Sequence, residues 1–211
     1  MIVLIQADSF AEINFIKDDT FYIATTAINR GHSVFWITPA LLSCADDIVL
    51  CNPFNGESLE EFITLDLPSV DLLLIRQNPP VNDIYLANIS YLAKMCKKFD
   101  IVAINPPYNI NNFLEKKLPS LVCPEFTPRT MFVDSINKDK LGFFLYDILF
   151  DKTEYIIKPL NLFAGQGVHK MTKTGNIDSD IKQILKFLQN NFIVQEFLNG
   201  IENGDRRISV I

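Results

Sequence analysis

An apolar run, a helical segment, a glycine and a second apolar run follow one another between Ile2 and Thr38, and this order constrains the fold more than any other feature. Ile2–Gln6 reads as a short buried strand. Asp18, Asp19 and Thr20 supply capping oxygens ahead of Phe21–Arg30, whose apolar residues fall at helical spacing. Gly31 stands where a left-handed cap ends a helix, and Ser33–Thr38 reads as the next strand. Strand, helix, glycine, strand is a βαβ unit, which implies a parallel sheet. Val70–Ile75 and Ile101–Ile104 read as further buried strands, with a helix over Ile84–Lys98 between them. Cys51–Gly56, rich in turn residues, reads as a surface hairpin or loop. Ligands of open α/β sheets sit at the carboxyl ends of parallel strands, where Arg76 and Asn105 stand. For Arg76 a surface ion pair and a ligand contact stay open as equal alternatives.

The second half is patterned differently. Asn109–Leu118 reads as a short helical turn carrying Glu115, Lys116 and Lys117, by pattern alone a charged, solvated face. Pro119 and Pro124 break Leu121–Phe126 into a linker, and the domain boundary is expected there. Thr130–Val133 is a short strand, and Ser135 is expected to cap a helix through Leu141–Leu149. Tyr155-Ile156-Ile157 opens a buried strand that ends in Lys158 and Pro159. Gly165-Gln166-Gly167-Val168 follows, two glycines that let backbone N–H groups approach an anion. A cation at a strand end ahead of a small loop suits a polyphosphate, although such a pair is also an ordinary hairpin turn. Val168–Met171 is the return strand, Asp178–Asn190 a helix and Phe192–Phe197 a strand. The chain closes on a strand expected over Arg207–Ile211. With no partner behind it, that strand reads as a domain interrupted partway and as a surface for pairing with a second copy.

Composition narrows the partners. Across 211 residues, 48% are hydrophobic and 21% charged, which suits a globular fold with a real core. The net charge of −6, with no Lys/Arg cluster, argues against nucleic acid. Cys44, Cys51, Cys96 and Cys123 form no Cys-x-x-Cys pair, so free thiols in a reducing compartment are expected, and no metal ligand is assigned. The start lacks the pattern of a signal peptide and no segment reaches membrane-spanning length, so a cytoplasmic protein with no membrane partner is expected.

Several separated motifs coincide in one order. They are Lys17–Phe21, Asn29–His32, Leu74–Pro80, Asn105–Pro107, Leu114–Lys116, Phe126–Thr130, Ile157–Leu160, Val194–Leu198 and Gly204–Arg207. Together they resemble the bacterial glutathione synthetases, members of the ATP-grasp ligases, over nearly the whole chain. The resemblance implies an α/β fold: a pre-ATP-grasp domain with a Rossmann-like parallel sheet (1–120), then an incomplete ATP-grasp domain. Within the latter, 121–198 would be the small α+β subdomain and 199–211 the start of the C-terminal subdomain. The implied reaction joins γ-glutamylcysteine to glycine: ATP phosphorylates the cysteinyl carboxylate, and the glycine amine attacks the acyl phosphate.

On the same resemblance Lys116 and Lys158 match the lysines that hold ATP phosphates, which replaces the solvated-face reading of Lys116. Gly165 and Gly167 fall in the loop over the phosphates. Gln195, Glu196, Phe197 and Leu198 match the hinge whose backbone reads adenine. Asp205 would lie near the ribose, Arg207 near the phosphates or the reacting carboxyl group, and Arg76 at the peptide substrate. Two departures stand out. The family loop begins Asp-Gly-x-Gly-Gly where this chain has Asn161-Leu162-Phe163-Ala164-Gly165, and Arg76-Gln77-Asn78 replaces Arg-Lys-Asp. Magnesium is implied with ATP, but its ligands in the family lie in the part that would follow Ile211, so this chain alone is not expected to complete the reaction. Two other readings are an ATP-grasp ligase for a different carboxylate and amine, and a shortened, non-catalytic nucleotide-binding protein.

Overall fold

The structure is a computed structural model; it describes residues 1–41, 47–78, 80–112, 116–134, 137–162, 165–187 and 191–204. It divides into two compact units, Met1–Phe113 and Leu114–Ile211. That division lies ahead of the linker expected at Leu121–Phe126, a stretch that is the end of a short helix followed by a single turn. Ser135, Asp205, Arg207 and the final expected strand lie outside the described residues.

The first unit runs β1 (Ile2–Gln6), α1 (Asp19–Asn29), β2 (Ser33–Ile37), β3 (Ile48–Phe54), β4 (Ile63–Asp66), β5 (Leu72–Ile75), α2 (Asp83–Phe99), β6 (Val102–Ile104) and α3 (Pro107–Asn112). Its six strands lie in the order β4-β3-β2-β1-β5-β6. β1 pairs in parallel with β2 and β5, and β5 with β6. Side chains alternate across β1, so Leu4 joins one core while Val3 and Ile5 join the other. α1 covers the second face with Phe21, Ala24 and Ile28, and α2 covers the first with Tyr85, Ile89 and Leu92. A strand covered on both sides must be apolar throughout, which is why β1 reads as a continuous apolar run.

The helix ends follow their expected chemistry. Asp18 accepts from the backbone N–H groups of Thr20 and Phe21 at 2.7 and 3.1 Å. Gly31, at φ +79°, turns the chain so that His32 N donates to Ala27 O at 3.1 Å. Three expectations need correction. Cys51–Gly56 is only partly the expected surface hairpin: β3 runs through Phe54 and pairs antiparallel with β2 and β4, with Cys51 and Phe54 buried, and the turn begins at Asn55, whose N donates to Ser58 O at 3.1 Å. Pro53 of β3 lies opposite Phe35 and masked the strand in the sequence. Ile101–Ile104 is not wholly buried, because β6 is an edge strand whose Val102 and Ile104 are exposed. Asn109–Leu118 is not one turn, since α3 ends at Asn112 and another helix starts at Leu118.

The second unit runs α4 (Leu118–Val122), β7 (Thr130–Val133), α5 (Leu141–Phe143) passing into a π-helical stretch (Phe144–Ile148), β8 (Glu154–Pro159), β9 (His169–Thr172), α6 (Ile177–Leu185) and β10 (Phe192–Glu196). The four strands form an antiparallel sheet in the order β7-β10-β8-β9. One face carries Val133, Tyr155, Ile157, Phe192 and Val194, packed with Leu141, Leu145 and Ile184. α6 is shorter than the helix expected over Asp178–Asn190. Its Asp180, fully buried, accepts from Tyr146 Oη at 2.5 Å, Thr174 Oγ1 at 2.8 Å and Thr174 N at 3.0 Å. A buried carboxylate without such donors would be costly.

Cys51, Cys96 and Cys123 are free thiols. Burial pushes the first two up to about 11, which leaves them protonated and unreactive near neutrality. Among the described residues no helix is long and apolar enough to cross a membrane.

Candidate functional site

Alternation along β8 and β10 sorts their side chains into a core face and an opposite face. Tyr155, Ile157, Phe192 and Val194 go to the core, and Lys158 and Gln195 to the other side with Thr130 of β7. Lys158 is opposite Ile193, so Gln195 is its diagonal neighbour. The Lys158 ammonium donates to Gln195 Oε1 at 2.8 Å. Gln195 Nε2 donates to Thr130 Oγ1 at 2.6 Å, and that hydroxyl donates to Pro128 O at 2.6 Å. The chain of bonds crosses three strands and orients the lysine.

Lys116, just before α4, brings a second ammonium to the same place. Its Nζ donates to Pro159 O at 2.7 Å and also to Leu162 O. Pro159 follows Lys158 directly, so the two charges are neighbours. Burial first, and the Lys116 charge second, lower the pKa of Lys158 from its ordinary value. Two cations held together in this way favour an anion that carries more than one charge.

The loop between β8 and β9 contains Gly165 and Gly167, both at positive φ. A methyl group at Gly165 would meet open space, whereas at Gly167 it would stand 2.8 Å from Pro159 Cγ and 3.1 Å from Leu162 Cδ1. Gly167 is therefore needed for conformation and for space.

At the far end of β10, Glu196 closes the strand and Phe197 and Leu198 lie beyond it. Lys170 Nζ sits 3.8 Å from the centre of the Phe197 ring and pairs with Glu154 at 2.8 Å. Glu196 is gripped by Arg129, Nε to Oε2 at 2.5 Å. Arg129 and Thr130 lie within the Phe126–Thr130 motif, where the resemblance implies a role for neither. A signal was available: Arg129 is the one arginine between Arg76 and Arg206.

Arg76 belongs to the first unit. The chain leaves β1 toward β2 on one side, and β5 lies on the other, so a crevice opens where their carboxyl ends diverge. A cavity of about 300 Å³ is there, lined by Asp8, Glu12, Asp18, Arg76, Gln77 and Asn78 among others. Arg76 N donates to Gln6 O at 2.8 Å, and its Nε to Thr20 Oγ1 at 3.1 Å. Asp8 accepts from Asn78 N at 3.0 Å, and Gln77 Oε1 from Gln6 Nε2 at 2.7 Å. Neither Asp205 nor Arg207 falls within the described residues.

Comparison with known proteins gives these two regions a common context. A family model for the prokaryotic glutathione synthetase N-terminal domain matches residues 1–110, and one for the ATP-grasp domain of the same enzyme matches residues 116–211. A glutathione synthetase of Brucella melitensis biotype 1 is 29% identical over 99% of this chain and 67% of its own length. One of Buchnera aphidicola subsp. Baizongia pistaciae is 24% identical over 97% of this chain and 64% of its own. The chain thus spans about two thirds of the length of these curated relatives. A solved D-cycloserine synthetase superposes with a TM-score of 0.56 at 11% identity, covering 94% of this chain and 60% of that one, a likeness of fold alone. With two consecutive family models accounting for nearly every residue, the chain belongs to the prokaryotic glutathione synthetase family.

Proposed function

We propose that this chain carries the nucleotide-binding and acid-substrate portions of an ATP-dependent ligase that joins γ-glutamylcysteine to glycine. The observation that supports it most is the pair Lys116 and Lys158, whose charges meet beside Pro159. In this reading both ammonium groups neutralise ATP phosphates, Gly165 and Gly167 lie over them, and the Gln195–Leu198 backbone reads the adenine edge. A carboxylate is a poor electrophile, so phosphorylation makes it a leaving-group-bearing acyl phosphate before the amine attacks. The protein contributes position and charge neutralisation. Arg76, with two terminal nitrogens aimed at no described partner, holds a carboxylate of the dipeptide. The first unit is then the pre-ATP-grasp domain, and the second the small ATP-grasp subdomain with the start of the next. Asp205 near the ribose and Arg207 near the reacting groups complete the assignment, and the setting is cytoplasmic.

Magnesium accompanies ATP in this reading. Among the described residues no group of three or more His, Cys, Asp or Glu side chains is disposed to hold a metal ion, so no step is routed through one. The test is calorimetric titration with ATP, with and without magnesium. Saturable binding at about 1–100 μM is expected, and absence of both heat and thermal shift overturns the reading.

A further inference from the structure

We propose that Arg129 is a positioning residue for nucleobase recognition, acting through Glu196 to set the direction in which the chain leaves β10. The inference rests on the reading of Gln195–Leu198 as the adenine-reading hinge.

Arg129 binds three segments of the chain with one guanidinium, through two carboxylates and one backbone carbonyl. Its Nε meets Glu196 Oε2 at 2.5 Å, its Nη1 and Nη2 meet Asp151 at 2.8 and 3.1 Å, and its Nη1 also donates to Ile148 O at 2.7 Å. Its own carbonyl accepts from Glu196 N at 3.0 Å, so main chain and side chain grip the same residue. The end of β10, the end of the π-helical stretch and the segment leading into β8 are thereby tied to one point. A planar fork of donors spans all three at fixed angles; a lysine ammonium, a single point of charge, does not reproduce that geometry.

Position along the chain gives the contact its consequence. Glu196 is the last residue of β10, with its side chain only 14% exposed. Beyond it the main chain is held by a longer bond, Phe197 N to Glu154 O at 3.4 Å. The orientation of residues 197 and 198 therefore depends on how Glu196 is fixed. Two of the three acceptors are carboxylates, and removing the guanidinium would leave them without their common cation. Arg129 is pushed further above its already high ordinary value by Asp151 and Glu196, and Asp151 is lowered by Arg129.

The experiment titrates the chain with two probes, ADP and inorganic tripolyphosphate; the second has the charge without the base. Arg129→Gln is expected to weaken ADP about tenfold and tripolyphosphate less than about twofold. Arg129→Lys should recover part of the loss, and adding Glu196→Gln to Arg129→Gln should cost nothing more. Equal losses for both probes would mean general loosening of the unit and would overturn the proposal, as would an unchanged ADP affinity. Should Arg129→Gln fail to fold, Glu196→Gln carries the same test with the Asp151 bonds intact: a selective loss for ADP supports the proposal, and an unchanged or unselective response overturns it. If the unaltered chain binds no ADP, the nucleotide reading itself falls and takes this inference with it.

Discussion

The crevice of the first unit and the sheet face of the second treat charge in opposite ways. Around the crevice one guanidinium, Arg76, shares the lining with the carboxylates of Asp8, Glu12 and Asp18. On the sheet face two ammonium groups stand together, Lys116 on the Pro159 carbonyl and Lys158 on the Gln195 amide oxygen. The first arrangement suits a ligand that brings both signs, such as the end of an amino acid or a dipeptide. The second suits a ligand that brings only negative charge. The supporting folds differ to match. A parallel sheet makes a crevice at its strand ends, whereas the small antiparallel sheet turns one face to its helices and points Lys158, Gln195 and Thr130 from the other.

The largest effect should come from removing a cation on the platform. Lys158→Met is expected to weaken ADP about 100-fold, read by calorimetry, while leaving the thermal midpoint unchanged or raised, because a half-buried charge beside another has been removed. A change of less than about threefold would break the contrast between the two regions.

Arg76→Gln should act on the other region alone. It is expected to weaken γ-glutamylcysteine about tenfold in the same calorimeter and to leave ADP within about twofold, the usual scale for losing one charge-assisted contact. Equal loss of both ligands would deny that the two regions are chemically separate.

The smallest effect is a pH dependence. Lys158 has a lowered pKa, so its proton is lost below the ordinary lysine range, and bound phosphates would raise that pKa again. Nucleotide binding should therefore take up protons, and ADP affinity should fall as pH rises through the lowered pKa toward the ordinary lysine value. For the ligand-free fold the sign reverses. The unfolded chain holds this proton more tightly, so stability rises with pH across that window relative to Lys158→Met. Titrations in two buffers of unequal ionisation enthalpy measure the uptake, and identical heats would contradict it.

Much of the fold was legible because burial on both faces imposes apolar runs. β1, β2 and β5 could be read for that reason, and α1 from Asp18 and Gly31 at its ends. β3 was hidden because Asn52 and Pro53 mimic a turn, and the pairing that retains them as strand comes from β2, distant in sequence. β6 looked buried because Ile101–Ile104 is apolar, but composition does not reveal which strand lies at an edge. At the site, Lys158 was legible as a charge ending an apolar strand. Lys116 was not legible by pattern alone, since two adjacent lysines after a glutamate look solvated until the 159–162 carbonyls are brought to them. Arg129 was illegible for a similar reason. Its partners Glu196 and Asp151 lie 67 and 22 residues away, a separation that local periodicity does not encode.

Gly167 links shape to charge in a way that limits how this loop can change. The atoms that any side chain there would strike belong to Pro159 and Leu162, the two residues whose carbonyl oxygens receive the Lys116 ammonium. A mutation to alanine would thus be transmitted as a displacement of a cation's docking oxygens, not merely as a crowded turn. The space that glycine leaves empty is therefore what lets the Pro159 and Leu162 carbonyls stay where the lysine meets them.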